Sequence, residues 1–196
     1  MSGKQLALKI LEEHNLLINE MLTSDSLLGT INDVAEEIVG LFRSGNALLL
    51  CGNGGSASDA QHIATEFVCR FVHDRRALNA EALNINASSL TAIPNDYSFD
   101  KVFSRQVEAK GRKGDMLIGL TTSGKSENVI NAFIAARNAG MRTVCFTGKT
   151  IPQNLLTLCD HIISIPSGCT ARIQECHIIV GHIICEHVEN KVVEEK

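Results

Sequence analysis

His62 and Glu66 stand four residues apart just beyond a glycine-rich turn, in the segment LLLCGNGGSASDAQHIATEF that runs from Leu48 to Phe67. On an α-helix that interval stacks the two side chains one turn apart on a common face. A histidine and a carboxylate so placed, beside a loop of free backbone N–H groups, can serve a polar ligand, a metal ion or a proton transfer. The plainer reading is a solvated pair on an amphipathic helix, because short motifs also arise without function.

A second copy of the same design shifts the balance. Asp115 to Ala139 again runs from an apolar stretch through a small-residue turn into a helix, here with apolar Val129, Ile130, Phe133 and Ile134. The turn carries the hydroxyls of Thr121, Thr122, Ser123 and Ser126 around Gly124 and Lys125. Hydroxyl donors, a close backbone approach at glycine and the positive end of a helix dipole are what a phosphate group needs. One hydroxyl would read as an ordinary N-cap, but several crowded together favour the anion. The P-loop spacing of glycines before Lys-Ser/Thr is absent, so nucleotide hydrolysis is not indicated.

A third group of polar residues lies on the last helical stretch, which starts near a capping Thr170. Gln174 and His182 are eight residues apart there, about two turns or roughly 12 Å along the axis. His177 and His187 are further candidates, although a histidine on an apolar helix more often belongs to the core.

These residues need a scaffold, and the bulk numbers allow one. A chain of 196 residues with 44% apolar content can bury one full core, and one domain is the expectation. A net charge of −4 with interspersed signs leaves no footprint for nucleic acid, Arg75-Arg76 being the one basic pair near the turns. Aromatic content of 4% argues against base stacking as well. Seven cysteines, an odd number without a signal peptide or any Cys-x-x-Cys, read as reduced, mostly buried thiols of a cytoplasmic protein. The longest apolar stretch, near Ile178 to Cys185, is broken by Gly181 and His182 and falls short of a membrane span.

Helical spacing is clear over Lys4 to Leu22 and Ser26 to Phe42, with Ser26 a cap for the second and Gly45 beyond its end. Strand-like runs follow at Ala47 to Cys51, Ala82 to Ile85, Met116 to Thr121, Thr143 to Thr147 and His161 to Ile165, alternating with helical or mixed segments. That alternation predicts an α/β doubly wound parallel sheet whose ligands bind at the carboxyl ends of strands, near the topological switch. Both turns lie at such ends. Leu6, Leu8, Ile10, Leu11, Leu16, Leu17, Ile18 and Leu22 on the first helix, with Ile178, Ile179, Val180, Ile183, Ile184 and Val188 on the last, exceed what one sheet needs and predict subunit contacts.

In order along the chain, Cys51-Gly-Asn-Gly-Gly-Ser56, His62 with Glu66, Asn95-Asp96, Thr121 to Ser126, and Arg172-Ile-Gln-Glu-x-His177 with His182 form a set. With it the chain resembles the phosphoheptose isomerases of the sugar-isomerase (SIS) superfamily over nearly its whole length. The resemblance implies a five-stranded, flavodoxin-like SIS domain spanning residues 1–196. Residues 1–44 would be the helices used in oligomerisation, and 45–196 the core and final helix. It implies an aldose–ketose isomerase converting sedoheptulose 7-phosphate to glycero-manno-heptose 7-phosphate, a step toward the heptose of lipopolysaccharide or capsule. The implied assembly is a cytoplasmic homotetramer with one zinc ion per subunit.

Carried over by position, the resemblance assigns substrate contacts to Asn53, Gly54, Gly55, Ser56, Glu66, Asn95, Asp96, Thr121, Thr122, Ser123, Ser126 and Gln174. It assigns metal ligation to His62, Glu66, Gln174 and His182, with Glu66 as base and His182 as acid. Before Arg172, where some members carry an acid, stands Ala171. The rival reading is a non-catalytic tetramer of the same superfamily that binds the bacterial replication initiator; such relatives lack the acid and histidine as a set. A phosphosugar-sensing regulator would need an attached DNA-binding domain, for which the chain offers no room.

Overall fold

Leu48–Gly52 (β1) and Met116–Leu120 (β3) are buried at every residue, and Arg142–Thr147 (β4) at every residue after the first. Uninterrupted apolar runs of this length belong to strands covered on both faces. With Ala80–Ala82 (β2) and His161–Ser164 (β5) they build one all-parallel sheet in the order β2-β1-β3-β4-β5. The computed structural model describes residues 1–193.

The helices are Gly3–Leu22 (α1), Asp25–Arg43 (α2), Gly55–Val68 (α3), Ala87–Asp96 (α4), Ser104–Lys110 (α5), Glu127–Asn138 (α6), Leu155–Leu158 (α7) and Thr170–Val193 (α8), with a 3-10 turn at Phe99–Lys101. The strand period of two divides the core between two layers. Leu48, Leu50, Met116, Ile118, Val144 and Phe146 pack against α2, α3 and α8. Leu49, Cys51, Leu117 and Cys145 face α5 and α6 on the other side. The chain leaves β1 through α3 toward one edge and leaves β3 through α6 toward the other. The strand order therefore reverses between β1 and β3, which pair in register from Leu48↔Met116 to Gly52↔Leu120. Both turns emerge side by side at that switch, and the doubly wound sheet expected from the sequence is the observed one.

Three boundaries differ from the sequence reading. The cap of α2 is Ser24, whose Oγ accepts from the Leu27 N–H at 3.4 Å, while Ser26 lies inside the helix. At the start of α8, Thr170 is already helical and the Cys169 carbonyl accepts the first bond, from Ile173 N at 2.9 Å. The edge strand β2 lies earlier than Ala82 to Ile85. Asn84 leaves the sheet because its amide donates to the Ala57 carbonyl of α3 at 2.9 Å.

The last helix also buries more of its apolar surface within the chain than its composition suggested. Val180, Ile184 and Val188 sit in the core beneath α2 and α3, while Ile183 stays exposed. On α1, Leu17 and Met21 are buried, while Leu6, Leu8, Leu11, Leu16 and Leu22 face outward.

His177 belongs to that core. It is fully buried on α8, with Nε2 3.3 Å from the Thr147 carbonyl and its ring edge-on to Phe146. Burial pushes its pKa down from 6.5 to about 4, the Thr147 carbonyl opposing only in part. The unfolded chain thus takes up a proton near pH 6.5 that the folded chain refuses until about pH 4. The stability contributed by the neutral ring is complete above pH 6.5 and is lost as pH falls toward 4. In urea unfolding measured across this window, His177→Gln is expected to show a shallower loss of stability than wild type; equal slopes would refute a neutral buried His177.

Candidate active site

The first turn begins where β1 ends. Gly54 adopts φ 57°, a region that side chains disfavour, and turns the chain into α3 without any side-chain cap. The N–H groups of Ser56 and Ala57 turn back on the carbonyls of Asn53 and Gly54 at 3.1 and 3.0 Å, so backbone closes the first turn of α3 in place of a side chain. Gly55 leaves room for Gln174: a Cβ there would stand 2.7 Å from its amide and displace it. Gln174 reaches across from the first turns of α8, its Nε2 lying 3.4 Å from the Ser56 hydroxyl. Asn53 exchanges two amide hydrogen bonds of 2.8 Å with Asn128 at the start of α6, tying the first turn to the second.

In the second turn, Thr121 is buried and continues the ladder through its N–H to the Phe146 carbonyl at 2.9 Å. Ser126 occupies the N-cap position of α6 but makes no capping bond; its hydroxyl is 2.9 Å from that of Thr121. Its hydroxyl is thus free of the bland task that would have explained it. Ser123 makes a local bond, its Oγ accepting from Lys125 N at 3.2 Å. A cavity of about 180 Å³ opens beside the turn, lined by Thr122, Ser123, Lys125, Lys149 and Ser167. Its two lysines add positive charge next to the hydroxyls.

The third group forms where α3 and α8 cross. A Cβ on Gly181 would meet Ile63 at 2.6 Å, so the bare glycine sets how closely the helices approach. The residues beside this contact are His182 and His62. His62 Nε2 is 3.1 Å from Glu66 Oε1 and 3.3 Å from His182 Nε2, and the three ligand-type atoms all lie within 4.8 Å of one another. Metal–ligand bonds of about 2.0–2.1 Å at tetrahedral angles separate neighbouring ligand atoms by about 3.3 Å. The two measured contacts match that edge, so these residues fit a shared cation. His62 is half exposed, leaving the cluster open to a ligand. The Phe71 ring covers another side of His182 at a centroid distance of 5.3 Å.

Most predicted site residues are gathered by these contacts. His62, Glu66 and His182 converge within a single chain, and Gln174 joins Gly55 and Ser56 through its bond to Ser56. Asn95 and Asp96 stand apart. They lie exposed at the end of α4, hydrogen-bonded to each other at 2.8 Å. His187 pairs with Glu36 at 2.8 Å, and His177 is the core residue described above. The cysteines near the sheet are not nucleophiles, since burial pushes the Cys51 thiol up to about 12.

Sequence reasoning missed Asn128, Phe71, and the buried pair Arg75 and Glu189. Asn128, as a polar residue in the first turn of an otherwise apolar helix, carried a readable signal. Glu189 carried a weaker one, as a lone carboxylate on the buried stripe of α8.

The hydroxyl turn lies at the switch of a five-stranded parallel sheet, a histidine–carboxylate cluster forms where α3 and α8 cross, and the SIS domain family matches residues 13–148. A phosphoheptose isomerase of Roseiflexus sp. is 57% identical over 165 residues, covering 83% of this chain and 82% of that one. The structure of a phosphoheptose isomerase from Neisseria gonorrhoeae aligns with a TM-score of 0.89 at 37% identity, over 96% of this chain and 100% of that chain. One from Francisella tularensis aligns with a TM-score of 0.92 at 30% identity, over 97% and 100%. The chain belongs to the phosphoheptose isomerase family and is a phosphosugar isomerase.

Proposed function

We propose that the chain interconverts sedoheptulose 7-phosphate and D-glycero-D-manno-heptose 7-phosphate through an enediol, with Glu66 as base and His182 as acid. The observation that carries this reading is the convergence of His62, Glu66 and His182 within one chain whose hydroxyl turn lies at the switch of the sheet. Thr121, Thr122, Ser123 and Ser126 would hold the phosphate. Asn53, Gly54, Gly55, Ser56 and Gln174 would line the sugar chain, and Asn95 and Asp96 would approach it from the end of α4.

The reaction moves one carbon-bound proton and one oxygen-bound proton. Glu66 takes the proton from C1 of the ketose and returns it to C2, while His182 gives a proton to O2 and takes one from O1. The net proton count is unchanged, and each group ends as it began. Oε1 of Glu66 faces His62, which leaves the second carboxylate oxygen for the substrate. His62, Glu66 and His182, with Gln174 as a fourth donor, would hold a zinc ion, one per subunit. Bound there, the ion would polarise the carbonyl and hold the sugar hydroxyls. Phosphate binding far from the reacting carbons fixes the register of the sugar, so its energy acts on turnover as well as on affinity.

The assembly is proposed as a cytoplasmic homotetramer, with residues 1–44 taking part in subunit contacts. The outward leucines of α1 and the exposed Leu28 of α2 support it. Among the described residues no helix is long and apolar enough to cross a membrane. A purely binding role toward a replication initiator would leave the histidine–carboxylate cluster without a task.

Glu66→Gln is expected to keep the fold and to lower kcat by about 10²–10⁴-fold, the usual worth of a general base. Wild-type turnover of sedoheptulose 7-phosphate by this variant, followed by NMR, would place the base elsewhere. The double variant Ser123→Ala, Ser126→Ala is expected to raise KM at least about tenfold and to lower kcat too, as lost charge-assisted bonds to phosphate require. Unchanged kinetics would return both hydroxyls to a purely local role. Light scattering should find a four-chain species, and a fully active monomer at assay concentration would overturn the assembly.

A further inference from the structure

The loop after α3 is held by a buried ion pair that none of the chemistry above uses. Arg75 and Glu189 have side chains 1% exposed, with Arg75 Nε 3.3 Å from Glu189 Oε1. The guanidinium spreads over the end of α3. Nη2 donates to the Glu66 carbonyl at 2.6 Å, and Nη1 to the carbonyls of Phe67 at 2.8 Å and of Cys69 and Arg76 at 3.0 Å. These include carbonyls that a helix end leaves without partners, and the positive charge also complements the helix dipole.

On the other side, Glu189 gathers the loop. Its Oε1 accepts from Phe71 N at 2.8 Å, and its Oε2 from Val72 N at 2.6 Å and His73 N at 2.8 Å. Burial alone would raise the carboxyl, but these N–H groups and Arg75 outweigh it and hold it below the usual carboxylate range. The pair is therefore an ionised clamp in which Nη1 and Nη2 are hydrogen-bonded while Nε faces the carboxylate as an ion-pair contact without a hydrogen bond.

Its two ends meet the proposed catalytic groups. Arg75 grips the backbone of Glu66 itself. Glu189 follows His182 by seven residues on α8, two turns along the same face and roughly 10 Å away. One of the N–H groups that Glu189 holds is that of Phe71, whose ring packs on His182. We infer that Arg75 and Glu189 are positioning residues for the isomerisation: they lock the end of α3 to α8, fixing Glu66 against His182, and they press Phe71 onto the His182 ring. The inference rests on the assignment of Glu66 and His182 as base and acid. A buried ion pair is a poor device for stability alone, since apolar residues of similar volume often serve as well. Its worth here is geometric, because a planar fork on four carbonyls and a carboxylate that accepts from three N–H groups favour one arrangement of the two helices.

The test compares Arg75→Lys, which keeps the charge but cannot span the same carbonyls, with Phe71→Leu, which leaves the clamp whole and removes the ring. For each folded variant, kcat and KM for sedoheptulose 7-phosphate and the zinc Kd, by competition with a chelating dye, are measured beside wild type. Arg75→Lys is expected to lower kcat at least about tenfold with KM within about twofold, because the phosphate turn is untouched, and to weaken zinc about 10–100-fold, as loss of ligand-orienting contacts does. Phe71→Leu is expected to lower kcat about three- to tenfold with normal KM, and it decides the matter should Arg75→Lys fail to fold. Wild-type kcat and zinc affinity in the folded variants would reduce the clamp to a stability element and overturn the inference. If instead wild type binds no zinc, or Glu66→Gln turns over normally, the site reading itself fails, a result distinct from any behaviour of Arg75 or Phe71.

Discussion

The approach of α8 to α3 is the constraint on which the site depends. In a doubly wound sheet each crossover helix is placed by the strands on either side of it, so α3 and α6 are fixed by β1 to β2 and by β3 to β4. The final helix has no following strand among the described residues, and its position must come from its own contacts. Those contacts run along one stripe: Gln174 on Ser56, His177 on Thr147, Gly181 against Ile63, and Glu189 on the loop at Phe71 to His73. Three of these touch α3 or the loop after it. His182 lies in the middle of the stripe, so every anchor that sets the helix also aims the imidazole.

The sheet supplies the other half of the geometry. Parallel pairing of β1 with β3 brings Gly52 opposite Leu120, and the turns that follow begin level with each other. The reciprocal Asn53–Asn128 bonds then keep them level, because each amide satisfies the other and neither can rotate without losing both bonds. The hydroxyl turn leads into a helix on one face of the sheet, whereas the His62 and Glu66 helix covers the opposite face. A ligand held by both must lie across the carboxyl edge of the sheet. Under the proposed assignment the phosphate and the reacting carbons would lie against different layers.

What the sequence made legible was local. The strands β1, β3 and β4 announce themselves as short apolar runs, and both turns follow from glycine and hydroxyl clusters immediately after them. His62 and Glu66 could be paired because four residues on a helix have a known geometry. The convergence of His182 with them depends on a crossing between segments far apart in the chain, and spacing on α8 alone put Gln174 and His182 merely on one helix. Only the resemblance to a family joined them. Arg75 and Glu189 were less visible still: 75-76 read only as an adjacent basic pair near the turns, and nothing local says that a guanidinium will fold back over the end of α3. Ser24 displaced Ser26 as a cap because two serines in tandem offer the same chemistry and the backbone settled on the earlier one.

The second turn shows why a plain reading of hydroxyls needs the structure to resolve it. Ser126 stands at a helix N-cap, where a serine oxygen ordinarily accepts from the second or third N–H of the helix. Here its hydroxyl turns to Thr121 instead, while its carbonyl accepts from Val129 and Ile130 at 3.0 Å. The backbone is thus capped in conformation but not by the side chain, and the opening N–H groups of α6 keep no serine over them. The turn thus forgoes about 1 kcal/mol of side-chain capping, and the two hydroxyls bond to each other instead. The same economy holds at Gly54, which starts α3 with no side chain to cap it. Two neighbouring helices, α3 and α6, thus begin without a side-chain cap at one edge of one sheet, and their dipoles place their positive ends together there.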